Sequence, residues 1–451
     1  MTRAATCDRS EDLTTRPVGR LMWWACSQTT LSVGVYGVYA LTNAWFVARG
    51  VGETALAAVN LVAPLLLLLG AVATTVGVGG ASLVSRNLGA RDRDAAARAA
   101  GNAFTAFWAT AVVVTVAGLV FLDPLLRAMG ATAETLPDAH AYGTVIIGGA
   151  VFATGFSAIV RAEGGMLFST LLWVVPVLVQ ITLDPILIFG FDLGVVGAGL
   201  GTVGGQAVSA AMAVWFFFGR RRRPYRIGLR HLRPDRATLG ALASIGAPSF
   251  LFGVGLTVLA VVVNTTLAAA GAVALAAYAV CARVQTFVSV PQSGITQGMQ
   301  PIIGTNAGRR LGHRVERAGV LASRATVAVG AIATALVLVA ADPLVALFLA
   351  DPDAAAMAAT ALRIIAIGFV FAGIPPLVSA YFQALGYPAP SYAISIGTLV
   401  LVRIPLVLAL GAFGPAGVWI ALPVGEAISA GVAWAILRRH RARIGALLGN
   451  P

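Results

Sequence analysis

ALAAVNLVAPLLLLLGAVATTVGVGGASLV, residues 55–84, runs for thirty positions without a charged side chain. As a helix it is ~45 Å long, more than a hydrocarbon layer of about 30 Å requires. Lipid offers backbone groups no water, so such a segment satisfies its own N–H and C=O groups as a helix. Similar stretches, Leu167 to Gly190 among them, recur along all 451 residues. Apolar residues make up 58% of the chain and charged ones 11%, with a mean hydropathy of +0.87. A soluble domain carries roughly 25% charged residues, so this composition predicts an all-α integral membrane protein with twelve transmembrane helices.

The same stretch also reveals a duplication. Shifted by 219 residues, Ala55-Leu56-Ala57-Ala58 falls on Ala274-Leu275-Ala276-Ala277, Gly79 on Gly298, Asn87-x-Gly89 on Asn306-x-Gly308, Arg91 on Arg310 and Arg98 on Arg317. A shift of 220 aligns Pro185 with Pro405, Gly197 with Gly417, and Gly205-x-x-x-Ser209-Ala210 with Gly425-x-x-x-Ser429-Ala430. Six helices per half is an even number, so both halves enter from the same side as parallel six-helix bundles, related by a pseudo-two-fold axis along the membrane normal. Repeats of that kind are a transporter architecture. The divisions expected are a tail at 1–20, bundles at 21–218 and 239–437, a basic linker at 219–238 and a second tail at 438–451.

Every basic residue other than histidine is arginine, and the arginines lie almost entirely on one side once the helices alternate. Arg3, Arg9, Arg16 and Arg20 precede the first helix, Arg86, Arg91, Arg93 and Arg98 surround the exit of the second, and Arg161 follows the fourth. Eight more run from Arg220 to Arg236, Arg309, Arg310, Arg314 and Arg317 follow the eighth helix, and Arg438, Arg439, Arg441 and Arg443 follow the twelfth. The opposite side holds Arg49 and Arg127 with Asp123, Glu134, Asp138, Asp342, Asp351 and Asp353. The positive-inside rule then places both termini in the cytoplasm of a multi-pass protein of the inner (plasma) membrane. The net charge of +13 reports orientation; the run Arg220 to Arg223 reads as a membrane-proximal anchor, and no nucleic acid partner is expected.

Several other motifs carry little chemistry. Residues 1–20 lack the apolar core and cleavage site of a signal peptide. Cys7, Cys26 and Cys281 are far apart and without metal-ligand spacing, so no disulfide, metal or cofactor is expected. His140, His231, His313 and His440 lie singly near helix ends and read as surface residues. Gly77-x-Gly79-Gly80 sits inside an apolar helix with no strand before it and no GKS or GKT after it, which argues against a nucleotide loop. Gly197, Gly201, Gly205 and Ser209, one per turn of the sixth helix, form a face for close helix packing.

Of eighteen acidic residues, all but Asp184 and Glu426 fall in tails, loops or helix ends. Charges inside the membrane are costly and are functional candidates by default. Arg403 and Glu426 stand about eleven residues either side of the turn at Pro415, so an antiparallel hairpin brings them to one depth as a possible intramembrane ion pair. Asp184 has no arginine at its depth in the adjoining helices, and its repeat mate is Ile404. Without water a lone carboxylate favours its protonated form. Gln180 lies one turn inward on the same face, Thr202 reaches a similar depth, and Asn43 stands six residues before Arg49, so all four are candidates for ion coupling. Tyr36 and Tyr39 share the face of Asn43. With Ser157, Gln28, Asn264, Gln297 and Gln300 they are candidates for a substrate cavity; the bland alternatives are interfacial anchoring and core packing, and for Asp184 a capping role.

IVRAEG at 159–164, LDPILIFGFDLGVVGAGLGTV at 183–203, PQSGITQGMQPIIGTNAG at 291–308, YFQALG at 381–386 and GVWIALP at 417–423 together resemble the multidrug and toxic compound extrusion (MATE) family, nearest its DinF/MepA-like branch. The resemblance covers residues 18–437. It implies twelve helices, alternating access and export of cationic or amphipathic molecules by a monomer against inward flow of protons or sodium. Asp184 resembles the amino-lobe carboxylate of the proton-coupled branch and Thr202 its polar neighbour, with Gln180 where that branch has asparagine. The first helix departs from the family, with Asn43 in place of an aspartate and Gln28 in place of a proline. The acids of the sodium-coupled branch are missing from the seventh helix and the inner part of the tenth. A flippase for a lipid-linked precursor shares the fold but calls for an arginine-lined cleft, and only Arg283 and Arg403 lie deep in the helices here. The segments outside the helices are too short for an enzyme site and bring no paired carboxylates beside a nucleophile, and a non-transporting scaffold leaves the duplication without a purpose.

Overall fold

The computed structural model describes residues 9–153, 155–220, 223–349 and 351–448, with all their side chains except those of residues 9, 10, 36, 40, 41, 53, 67, 68 and 447. Among these residues every regular element is helical. Eleven helices are long and apolar enough to span a membrane, and one pair bent by 46° makes a twelfth. In chain order they are α1 Val18–Gly50, α2 Thr54–Gly89, α3 Arg93–Val120, α4 Leu136–Ala162, α5 Met166–Gly190, α6 Gly194–Gly219, α7 Arg236–Ala268, α8 Ala272–Gly308, α9 Gly312–Ala346, α10 Pro352–Ala366 with Phe369–Ala384, α11 Ala389–Gly411 and α12 Pro415–Arg439. Large apolar side chains such as Val120, Val339 and Leu401 point outward from these spans. Water would penalise that arrangement, and lipid does not.

The duplication is visible in the backbone. Gly52 and Gly271, 219 residues apart, open α2 and α8 with φ of 121° and 106°. Arg91 and Arg310, the same distance apart, close those helices in the left-handed region with φ of 63° and 57°, which an arginine adopts only against a steric cost. In both, the following residue donates its N–H to the carbonyl of an asparagine, Asp92 to Asn87 and Leu311 to Asn306, both at 2.9 Å. Ser169 donates to the carbonyl of Ser157, as Ser391 does to that of Ser379.

The chain divides into two compact units. Unit 1 holds Leu31–Gly246, and unit 2 holds Leu13–Thr30 and the chain from Ala247 onward. Unit 1 has one apolar core around Phe104, Phe156 and Phe217 and a second around Leu122, Tyr142 and Ile146. Unit 2 is built around Leu267, Val280, Leu362 and Phe369. The opening stretch of α1 therefore packs with unit 2, where Gly294 and Gly298 of α8 leave no room for a side chain against Thr30 and Cys26. Segment 1–20, read from sequence as a tail, carries a short helix Arg9–Thr15. Its Leu13 carbonyl accepts from Asn306 at 3.0 Å.

The linker is less solvated than its arginines suggest. Arg223 and Tyr225 are buried, and Leu229–Leu232 forms a single 3-10 turn. His231, expected at the surface, is buried instead: it is 6% exposed, its Nδ1 accepts from the Gly228 N–H, and Nε2 lies 3.1 Å from Asp94. Its carbonyl packs on Gly101 of α3, where a Cβ would come within 2.3 Å. At the end of the linker Asp235 accepts from the N–H of Thr238 at 2.9 Å and so caps α7. The Thr238 hydroxyl and N–H hold this carboxyl below the usual carboxylate range.

Candidate functional site

Pro185 determines the local backbone at Asp184. Its ring removes a donor and crowds the preceding turn, and the chain responds by widening into a π-helical turn over Ile186–Gly190. Turns of this kind collect at functional sites. Asp184 lies just before it and is fully buried, facing α6 where that helix presents Gly201. Gln180, one turn earlier and 1% exposed, donates from Nε2 to Asp184 Oδ2 at 3.0 Å. Thr202, 1% exposed, accepts at 3.5 Å from both Asn43 Nδ2 and the Tyr39 hydroxyl, the outer limit of a hydrogen bond. Asn43 is also close enough to bear on the Asp184 carboxylate. Among the described residues Asp184 makes no ion pair, and its Oδ1 and the Oε1 of Gln180 have no hydrogen-bond partner.

Asp184, Gln180, Thr202, Asn43 and Tyr39 thus form one polar cluster inside unit 1. The side chain of Tyr36 lies outside the described residues. Ser157 is also in unit 1, on the short helix Phe156–Ala162, where its carbonyl accepts from Ser169. Gln28, Asn264, Gln297 and Gln300 belong to unit 2. Of these, Asn264 is exposed and the other three are half-buried.

Unit 2 treats its intramembrane charges differently. Arg403 closes a π-helical turn over Leu399–Arg403, just before Pro405, and donates from Nη2 to Glu426 of α12. Its Nε reaches the Ser429 hydroxyl at 3.4 Å. The side chains are 8% and 12% exposed. Burying such a pair is expensive, and leaving one partner alone is more so.

A third charged cluster was not legible beforehand. Glu163 of the IVRAEG stretch takes a forked hydrogen bond from Arg223, with Nε to Oε2 at 3.2 Å and Nη2 to Oε1, and a further bond from the Tyr225 hydroxyl. The Arg223 guanidinium stacks on the rings of Phe216, Phe217 and Tyr225 at 5.2, 4.6 and 4.7 Å. Burial draws the guanidinium down, but the charges and hydrogen bonds of Glu163 and Tyr225 together outweigh it and hold Arg223 above its ordinary value. Burial and the same charge push the Tyr225 hydroxyl well up, so it stays a donor. The cluster fastens the linker to unit 1. Among the described residues no group of three His, Cys, Asp or Glu is placed to hold a metal ion.

A duplicated bundle of membrane-spanning helices with a polar cluster inside one repeat has the architecture of a membrane transporter. The MatE family profile matches residues 30–186 and 248–408, once in each half, and the chain belongs to that family. It is 30% identical over 416 residues to the multidrug export protein MepA of Staphylococcus haemolyticus (strain JCSC1435), covering 90% of each chain. To MepA of Staphylococcus aureus (strain MSSA476) it is 29% identical over 424 residues, covering 92% of each. Among solved structures it is similar to MATE in the bent conformation, with a TM-score of 0.90 at 25% identity over 97% of this chain and 98% of the other. An outward-facing multidrug resistance MATE transporter of the MOP superfamily gives 0.89 at 25% identity with the same coverage.

Proposed function

We propose that the protein is a secondary antiporter. It exports small cationic or amphipathic molecules, drugs or metabolites, from the cytoplasm by alternating access, and the inward flow of protons, in preference to sodium, drives it. Asp184 is the coupling carboxylate. The supporting observation is the fully buried acid, without a cationic partner among the described residues, one oxygen bonded to Gln180 and the other open. Ionised, it attracts a cation, and protonated it does not, so proton and cargo compete. A ligand moves such an equilibrium only through unequal affinity for the two states. The relatives named as multidrug export proteins support the choice of cargo.

Proteoliposomes loaded with ethidium, a lipophilic cation, provide the test. Efflux is expected on imposing a proton gradient and not on imposing a sodium gradient; efflux indifferent to protons overturns the reading. The orientation is tested separately, as a monomeric plasma-membrane protein with both termini in the cytoplasm. Cysteines introduced at positions 123 and 353 should react with an impermeant thiol reagent outside intact cells and one at 230 should not. Outside labelling of 230 reverses the orientation.

A further inference from the structure

The glycines of α6 meet α5 in two different ways. A Cβ on Gly197 would stand 3.0 Å from the Leu187 carbonyl, and one on Gly205 would stand 2.6 Å from the Pro176 carbonyl. Those are backbone approaches of the kind small residues permit between helices. A Cβ on Gly201 would stand 1.9 Å from Asp184 Oδ1, an overlap with the side-chain oxygen itself. That oxygen is fully buried and has no hydrogen-bond partner, whereas Oδ2 already accepts from Gln180.

We propose that Gly201 is a positioning residue for the coupling carboxylate, and that Asp184 Oδ1, the oxygen it faces, is the one that takes the proton. The proposal rests on the coupling role of Asp184 given above. Oδ2 is occupied as an acceptor by the Gln180 amide. A proton on Oδ1 leaves that bond in place, and it converts an orphan acceptor into an O–H donor in a cluster where Gln180 Oε1 is also a buried acceptor without a donor. A side chain at 201 drives Oδ1 out of this position. The other titratable and charged groups around the site are engaged elsewhere. Tyr39 of α1 bonds Thr202, Arg49 stacks on Trp45, and Arg161 of α4 bonds Ser169. Asp192 lies in the turn after α5. None forms an ion pair with Asp184.

The full chain in proteoliposomes tests this with Gly201→Ala against Gly197→Ala, which introduces the same methyl one turn away. Two readouts are followed: the pH profile of ethidium efflux, and the carboxyl C=O stretch that infrared difference spectra assign to Asp184 by its loss in Asp184→Asn. Gly201→Ala should displace the carboxyl band and move the midpoint of the profile by about one pH unit or more, a tenfold change in proton affinity. Gly197→Ala should leave both as in the wild type. Wild-type spectra and profile in Gly201→Ala, or equal changes in the two variants, overturn the proposal. Should Gly201→Ala not reconstitute, thermal stability in detergent decides: the methyl should cost far more beside Asp184 than in an Asp184→Ala background, and equal losses overturn the proposal. Wild-type pH dependence in Asp184→Asn instead defeats the coupling role on which it rests, whatever Gly201→Ala does.

Discussion

The end of α5 and its repeat counterpart in α11 widen on opposite sides of their proline, after Pro185 in one and before Pro405 in the other, and carry opposite electrostatic solutions. Each has a proline, Pro185 or Pro405, beside a π-helical turn. Each packs on a glycine-bearing helix that carries a matching serine, Ser209 donating to the Leu172 carbonyl nearer the start of α5 and Ser429 accepting from Arg403 itself. Unit 1 places a carboxylate there that pairs with no base among the described residues, while unit 2 places a base and reaches across to an acid on the neighbouring helix. A paired charge is neutral as a unit and tolerates changing surroundings. An unpaired carboxylate in the same surroundings is held only if it binds a proton or a cation, so its occupancy varies with conditions. Duplication supplied two related helix ends, and on the coupling role proposed for Asp184 divergence left one of them sensitive to its ligand.

The largest expected effect breaks this contrast at its active end. Asp184→Asn keeps the size and the hydrogen bond with Gln180 and removes the charge, so the protein should insert and remain stable while pH-driven efflux of ethidium is abolished. Stable Asp184→Asn protein that exports with the wild-type pH dependence would reduce Asp184 to packing. The second effect concerns the paired end. Arg403→Gln or Glu426→Gln alone strands a buried charge, at a cost of about 3–5 kcal/mol. The double variant should lose less than either single one in a thermal unfolding assay. Additive losses would mean that the two side chains act independently.

A smaller effect is expected at the linker. Glu163 and Arg223 have side chains 2% exposed, and together with Tyr225 they make a buried cluster within unit 1. Glu163→Gln keeps the shape and removes the charge that balances Arg223. The linker should then loosen, seen as faster trypsin cleavage between residues 223 and 236 in everted vesicles. An unchanged cleavage rate would show that the rings around Arg223 hold it without Glu163.

Much of this was readable in the sequence. Hydropathy identified the spans because lipid enforces continuous apolar helices. The repeat emerged because glycines and helix-terminal arginines carry backbone constraints, as the matching φ of Arg91 and Arg310 shows. Asp184 and Glu426 stood out as exceptions to a strong rule, and depth counting on a simple hairpin placed Arg403 opposite Glu426. The Glu163 cluster was hidden because its partners lie 60 and 62 residues away, inside an arginine run whose members look alike. His231 was misread for the same reason, since its burial depends on where the linker folds over α3. The face of α6 was legible as packing. That one glycine of the four-residue pattern meets a carboxylate oxygen needed coordinates.

The smallest expected change sharpens the comparison by adding to the asymmetry. Asn43 is 7% exposed, donates to Thr202 and lies close enough to act on the Asp184 carboxylate. An amide in that place can hydrogen-bond but cannot titrate. Asn43→Asp adds an acid beside the first, and two carboxylates in one desolvated pocket do not both ionise cheaply. The pair should then release its protons in two steps that belong to both groups together. Export should continue, with a shifted pH optimum and more protons moved per ethidium, measured as a changed reversal potential in proteoliposomes. Unit 1 would then hold two coupling acids against the neutral pair of unit 2. An optimum and a reversal potential both equal to wild type would mean that position 43 contacts Thr202 without facing the coupling carboxylate, and the contrast between the units would rest on Asp184 alone.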